Sequence, residues 1–358
     1  MISQNSKESP ASTLEALSEF AERDQLEPPE TYKAALAAAL ALLSQEDGLL
    51  QLPDLPTIII PDLHARRLML IAILGAQLAE GPHAGRRIFD LLQQGLINVV
   101  CVGDIVHSEE RDDWVINRDG EWTEELLEKE MVRSLGAGAM MMYLKVQYPE
   151  HFHCLRGNHD DMAGELAEDF RKFVGLKFDE HDELVFVDGR PVVTGDKGES
   201  RLVREWVLSR EGWGQPFLQT WAQFERSLPV FAQATYFVVS HTPPLVPLSE
   251  AEIREASKSR EISLELTSRR GINEEAIRGT LKNLGLAERV ERWFHGHSRV
   301  PREINGGKYE ESLDGLVVRL NNPKKHVFAY VPASYDERHF DPTRDVYIKS
   351  PLEEAFHR

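Results

Sequence analysis

The hydrophobic pattern changes character along the chain. Residues 1–28 are mixed and polar, which predicts a flexible leader holding one short helix near residues 13–22. Behind the Pro28-Pro29 pair, TYKAALAAALALLSQ is rich in alanine and opens on Thr31, a residue able to cap. A helix over 30–44 follows, its alanines read as helix propensity rather than a binding surface. From residue 57, short β-branched runs alternate with stretches whose apolar residues recur at helical spacing. The expected strands are TIII (57–60), INVVCV (97–102), FHCL (152–155), TYFVVS (235–240) and VERWF (290–294). Helical spacing marks 65–79, 86–95, 123–147, 201–210 and 274–285. Strand runs without polar alternation belong to strands buried on both faces, so the class is α/β. Between 302 and 331, alternating runs punctuated by NGG and NNPKK predict an antiparallel sheet.

These patterns divide the chain into a leader and helix (1–50), a main domain (51–335) and a tail (336–358), with a long helical insertion at about 162–234. Trp206, Trp213 and Trp221 in the insertion, and Trp114 before it, are expected to pack in cores. An aromatic wall over a site is the alternative.

Composition narrows the partners. The 358 residues are 42% hydrophobic and 28% charged, ordinary for a folded protein, with a formal net charge of −18. That balance argues against a nucleic-acid duplex, whose binding runs on basic patches. A small anion stays open, because bound cations invert the local field. Cys101 and Cys154 lie inside apolar runs and read as free thiols in a reducing compartment. The N-terminus lacks the pattern of a secretion signal, and the uncharged apolar stretches are too short to cross a bilayer. A cytoplasmic protein without a membrane partner is expected.

The chemistry stands directly behind the strands. TIII leads to Asp62 and His64, VVCV to Asp104 and His107, FHCLR to Asn158 and His159, FVVS to His241, and WF to His295 and His297. Strand ends in α/β sheets converge on one crevice, the customary ligand site. Asp62 and His64, two apart in extended backbone, would point the same way and chelate one ion. Asp104 could bridge two ions through its two oxygens, with an amide oxygen from Asn158 and imidazoles from His241 and His297. Such mixed donors suit manganese, iron or zinc better than calcium. Gly103, Gly157 and Gly296 each precede a candidate ligand, which gives the backbone room to turn. Each motif alone is commonplace; together, in this order, they are hard to assign to structure alone.

D-x-H, GD, GNHD, a lone H and GH resemble the signature of the calcineurin-like metallophosphoesterase superfamily, over roughly residues 55–332. The resemblance implies a four-layer α/β/β/α sandwich holding two divalent metal ions, manganese first among the candidates. It implies one ion on Asp62, His64 and Asp104, and a second on Asp104, Asn158, His241 and His297. His159 falls where the superfamily keeps its catalytic proton donor. Two ions about 3.5–4 Å apart lower the pKa of a shared water from ~15.7 towards ~7 for attack on phosphorus. The implied activity is hydrolysis of a phosphate ester on a small molecule or phosphoprotein. Symmetrical dinucleoside polyphosphate hydrolysis is the alternative, and a non-catalytic binding module the reading from another class.

The sequence departs from the pattern in places. Arg299 occupies the position of a second histidine after GH, as in the Ser/Thr protein phosphatase-like branch, to which the chain looks closest. That branch carries GD-x-V-D-R-G, whereas this chain reads GDIVHSE, so His107 and Ser108 replace an aspartate and an arginine. Asp160 or Asp161 is expected to orient His159 instead, and Arg299, Arg156 or Arg111 to hold phosphate. Pro61 and Ala65 stand where glycine is usual. A frame pairing His295 with His297 is the lesser alternative to the GH frame. The insertion and the segment 248–270 are expected to shape the mouth of the site.

Overall fold

The computed structural model describes residues 9–108, 124–162, 173–176, 185–187, 190–191, 193–197, 199–322, 325–334 and 338–349. Its strands are β1 (Leu49–Gln51), β2 (Thr57–Ile60), β3 (Asn98–Cys101), β4 (Phe152–Cys154), β5 (Phe173–Leu176), β6 (Phe186–Val187), β7 (Arg190–Pro191) and β8 (Val193–Lys197). They continue with β9 (Phe231–Gln233), β10 (Phe237–Ser240), β11 (Arg292–His295), β12 (Glu310–Ser312), β13 (Val317–Arg319), β14 (His326–Val331) and β15 (Val346–Lys349). Two sheets carry the fold: a six-stranded one ordered β1-β9-β10-β11-β13-β12 and a five-stranded one ordered β15-β14-β2-β3-β4.

The apolar runs explain the layering. In TIII, Ile58 and Ile60 face helices on one side, while Ile59 joins the core between the sheets. Alternate side chains thus enter different cores, which is why the run shows no polar alternation. Val100 and Leu155 from one sheet meet Val239, Phe294 and Val318 from the other in that inner core. A third cluster buries Trp293, Phe231 and Val238 under Ile253, Leu266 and Ile277 from the helices of the opposite flank. Helix, sheet, sheet, helix is the order of layers, the four-layer α/β/β/α sandwich that was expected.

Local differences have local causes. The alanine-rich helix spans Pro29–Leu43, beginning on proline with Pro28 as its N-cap rather than on a Thr31 cap. A proline in the first turn gives up an amide that has no helical partner there. Thr13 does cap Leu14–Ala21, accepting from the amide of Ala16. The 302–331 stretch is not one antiparallel sheet: β12 and β13 form a hairpin in the six-stranded sheet, while β14 crosses to pair with β2 in the other. Strand periodicity reads the same in either sheet, so it could not tell them apart. The insertion carries its helices at Glu199–Ser209 and Gly214–Ser227, and its described residues before them form short strand pairs. β15, within the span set apart as a tail, completes the five-stranded sheet against β14.

Trp206, Trp213 and Trp221 are buried together in the first core, as the packing reading expected. Trp114 lies outside the described residues. Cys101 and Cys154 are free, buried register partners on β3 and β4. No helix among the described residues is long and apolar enough to cross a membrane.

Candidate functional site

The loops leaving β2, β3 and β4 of one sheet and β10 and β11 of the other meet at a common rim. Hydrogen bonds tie the first three of these loops together. The amide of His64 donates to the carbonyl of Asp104 at 2.6 Å and that of Ala65 to Ile105 at 2.9 Å, zipping the first two loops together. The Asp160 carboxylate accepts from the amides of Asp104 (2.9 Å), Ile105 (2.8 Å) and Gly157 (2.7 Å), which fastens the second loop to the third.

His64, Asp104, His241 and His297 bring ligand atoms together with Asn158. Asp104 belongs to two groups of potential ligand atoms, one with His64 and His159 and one with His241 and His297. Asp62 stands beside them in neither group. His241 Nε2 lies 3.0 Å from Asn158 Oδ1, 3.3 Å from Asp104 Oδ2 and 3.3 Å from His297 Nδ1. His297 Nδ1 is 2.7 Å from the same Asn158 oxygen. Asp62 Oδ1 accepts from the amide of His297 at 3.0 Å, and its Oδ2 accepts from Asn321 Nδ2 at 2.5 Å. His64 Nδ1 donates to the carbonyl of His107 at 3.0 Å, leaving Nε2 facing Asp104 Oδ2 at 3.5 Å. A ring nitrogen anchored on a carbonyl fixes the tautomer that leaves the other free as a ligand. His241 is anchored in the same way, Nδ1 on the carbonyl of Val102 at 2.9 Å.

Gly103 turns as expected, with φ of 114°, but the site residues turn as well. His64, Ala65, Asp104, His107 and His297 have φ of 44°, 55°, 50°, 66° and 64°, the left-handed region that L side chains rarely adopt. His64 therefore sits in a turn and not in extended backbone, and its approach to Asp104 comes from that turn. Strain of this kind persists where surrounding contacts over-determine it, commonly at functional sites. Gly157 and Gly296 serve space instead: a Cβ at Gly157 would come 2.2 Å from Asp104 Oδ1, and one at Gly296 1.8 Å from Asp62 Oδ1.

Electrostatics fit a cation. Burial works against an ionised Asp104, yet His241, His159 and His64 outweigh it and hold this carboxyl well below the usual range. Burial lowers His241, but Asp104 and Asp62 overcome it and raise the imidazole to about 9. His297 is pushed down to about 3, by burial first and then by His241. His241 Nε2, Asn158 Oδ1 and Asp104 Oδ2 converge, with Nδ1 of His241 committed to Val102. Arg270 donates to His297 Nε2, so the neutral His297 ring carries its proton on Nδ1 and aims it at Asn158 Oδ1. A divalent ion would take the place of the protons among these groups, and the mixed nitrogen and oxygen donors match manganese, iron or zinc.

The comparisons bear on the fold. No family model and no curated protein matches the sequence. The structure is similar to a Ser/Thr protein phosphatase from Saccharomyces cerevisiae that resembles human PP5, with 14% identity, 95% of this chain and 97% of that one covered, and a TM-score of 0.56. That likeness bears on the fold, an α/β/β/α sandwich. Weaker likenesses, to a cold-active protein tyrosine phosphatase (12% identity, 88% and 78% covered, TM-score 0.43) and a candidate diadenosine tetraphosphatase (14%, 85% and 97%, TM-score 0.35), add nothing to that.

Other expected site residues find different places. His159 stands half-buried at the rim, its amide donating to Asp104 Oδ1 at 2.8 Å and its ring 5.0 Å from that of His64. Asp160, expected to orient His159, is turned to the three amides above, because a buried carboxylate in a loop is met most readily by backbone N–H groups. Asp161 faces Arg156 at 3.9 Å. Arg156, expected to hold phosphate, is buried and donates to the carbonyl of Asp160 at 3.2 Å. Arg299 is exposed, Arg111 lies outside the described residues, and His295 turns to the carbonyl of Gly296.

Sequence reasoning missed three groups. Arg270 reaches His297 Nε2 at 3.3 Å from the end of the 248–270 segment, where paired arginines before Gly271 were the available signal. Glu130, buried on the helix Glu124–Gln147, accepts from the Ser108 amide (3.1 Å) and the Ser134 hydroxyl (2.9 Å), while that hydroxyl accepts from the His107 amide. Asn321 tethers Asp62 as described; nothing local marks it.

Proposed function

We propose that this protein is a phosphoesterase that hydrolyses a phosphate ester with two divalent metal ions, manganese first among the candidates. The observation that carries this reading is Asp104, buried and common to both groups of ligand atoms. Asp62, His64 and Asp104 would hold one ion; Asp104, Asn158, His241 and His297 the other. When bound, such ions supply Lewis acidity towards phosphate oxygens and an acidified water.

The chain's own residues do the rest. His159 hands a proton to the leaving oxygen, its backbone tied to Asp104 so that the imidazole stays at the rim. Arg270 faces the phosphate beside His297, and its planar fork suits two oxygens at once. Asp160 and Glu130 hold the loops that carry these groups. The intact ligand set with His159 favours an enzyme over a binding module of the same fold.

The test is hydrolysis of p-nitrophenyl phosphate and its bis-ester by the purified chain with added manganese, with bound metal measured alongside. Asp104→Ala is expected to lose both metal and rate; a variant that keeps its rate sinks the assignment.

A further inference from the structure

Beside the ligand cluster lies a second polar feature that shares Arg270 and His297 with it. His295, Arg319 and Glu310 are register partners across β11, β13 and β12, forming one charged row on the face of the six-stranded sheet. Two residues earlier on β11 and β13 the same face carries Trp293 and Val317, both buried in the core beneath the flanking helices. The face thus turns from apolar to charged as the strands reach Gly296 and His297. The chain at Arg269 to Ile272 lies over the row and closes a cavity.

The cavity is built for an anion. Arg269, Arg270 and Arg319 line it against the single carboxylate of Glu310, in a chain of net charge −18. Arg319 is answered by Glu310, but its Nε is buried without an acceptor among the described residues. A cross-strand ion pair accounts for Arg319 and Glu310. Arg269, from a different element, is answered in turn by Glu265 at 2.9 Å, while Arg270 over the same space turns to His297. The volume is about 60 Å³. A single water needs ~10–15 Å³ on that measure, so the cavity has room for an oxyanion. His297 forms a wall of this cavity and also touches Asn158, so the two sites are contiguous.

We propose that this cavity is a second anion subsite, which takes a carboxylate or phosphate carried by the same molecule whose phosphate ester lies at the ligand cluster. The substrate class is then a small bis-anionic phosphate ester. The proposal rests on the phosphoesterase reading for the position of that ester. Arg319 and Arg269 select the second anion, and Glu310 tempers the site against monoanions.

Competitive inhibition of p-nitrophenyl phosphate hydrolysis tests it, with saturating manganese. Propylphosphonate carries one anionic group; 4-phosphonobutyrate adds a carboxylate and propane-1,3-diphosphonate a second phosphonate. The ratio of inhibition constants is the readout. Both bis-anions are expected to bind at least tenfold tighter than propylphosphonate, and the tighter of them names the preferred second group. Arg319→Gln should bring the ratio close to one, and Glu310→Gln should widen it. A ratio near one in the parent chain overturns the proposal, as does a ratio unmoved by Arg319→Gln. If Arg319→Gln does not fold, the near-isosteric Glu310→Gln decides, and a ratio it leaves unchanged or narrows counts against the subsite. Absence of p-nitrophenyl phosphate hydrolysis would instead remove the phosphoesterase reading. Calorimetric titration of the chain with the same three compounds then gives the ratio as dissociation constants, judged by the same outcomes.

Discussion

Asp160 receives the backbone amide of Asp104 at 2.9 Å, so one carboxylate sets the loop that carries another. Burial raises the Asp160 carboxyl and the neighbouring Asp104 raises it further, while the amides of Gly157 and Ile105 pull it back. The pair is held together by backbone dipoles against its own repulsion. Replacing Asp160 by Asn puts an NH2 group against at least one of those amides. A buried donor left unmet costs about 1–3 kcal/mol. Asp160→Asn is therefore expected to lower the thermal midpoint and to reduce manganese bound per chain; an unchanged metal content would show that the loops hold without it.

Gly296 is expected to tolerate no side chain. Its Cβ would stand 1.8 Å from Asp62 Oδ1, and the carboxylate would have to leave its present position. Gly296→Ala should weaken manganese binding by tenfold or more in a calorimetric titration, with a smaller loss of stability. Equal affinity in the variant contradicts the placement of Asp62 as a ligand.

Glu130 acts from a distance. Through Ser134 and the Ser108 amide it fixes the backbone at His107, whose carbonyl fixes His64. Groups that orient metal ligands commonly change affinity by ~10–100-fold when lost. Glu130→Ala should fall in that range for manganese, while Glu130→Gln, which keeps an acceptor oxygen, should recover most of it. Identical affinities for the two variants would mean that the acceptor oxygen is not what fixes the loop.

Arg270 should reveal itself in KM. Arg270→Gln removes a cation from beside His297 and is expected to raise KM for p-nitrophenyl phosphate about tenfold, with a smaller effect on kcat. Steady-state kinetics decide this, and an unchanged KM removes Arg270 from the substrate.

Acid sensitivity follows from His153. Burial, then the charge of Lys145, lowers its imidazole from 6.5 to about 3. The folded chain thus binds fewer protons than the unfolded one between those values, and stability falls as pH drops below about 6.5. At pH 5.5 the loss from this group is on the order of 1 kcal/mol. His153→Gln should flatten the fall in urea midpoint between pH 7.5 and 5.5, and an equally steep fall in the variant would contradict the assignment.

The strands and turns of the site were readable because each rests on neighbours in sequence. TIII followed by Asp62, or FHCLRGNHD, states a buried strand and a polar loop within ten positions. The roles of Asp160 and Arg156 were misjudged for the same reason. Their partners are backbone groups of the loops themselves and of a loop some fifty residues away, which no motif displays. The 302–331 stretch shows the limit from another side, since β13 and β14 have strand character alike yet join different sheets.

By itself the sequence determined the α/β class and the candidate donors, because apolar continuity and residue chemistry are local properties. Only the tertiary structure decided that the strand ends bearing those donors come from two sheets packed face to face. It alone brought Glu130, Arg270 and Asn321 to them and set the left-handed turns at His64 and Asp104. Such meetings join residues far apart in the chain, and their geometry is settled when the inner core between the sheets closes.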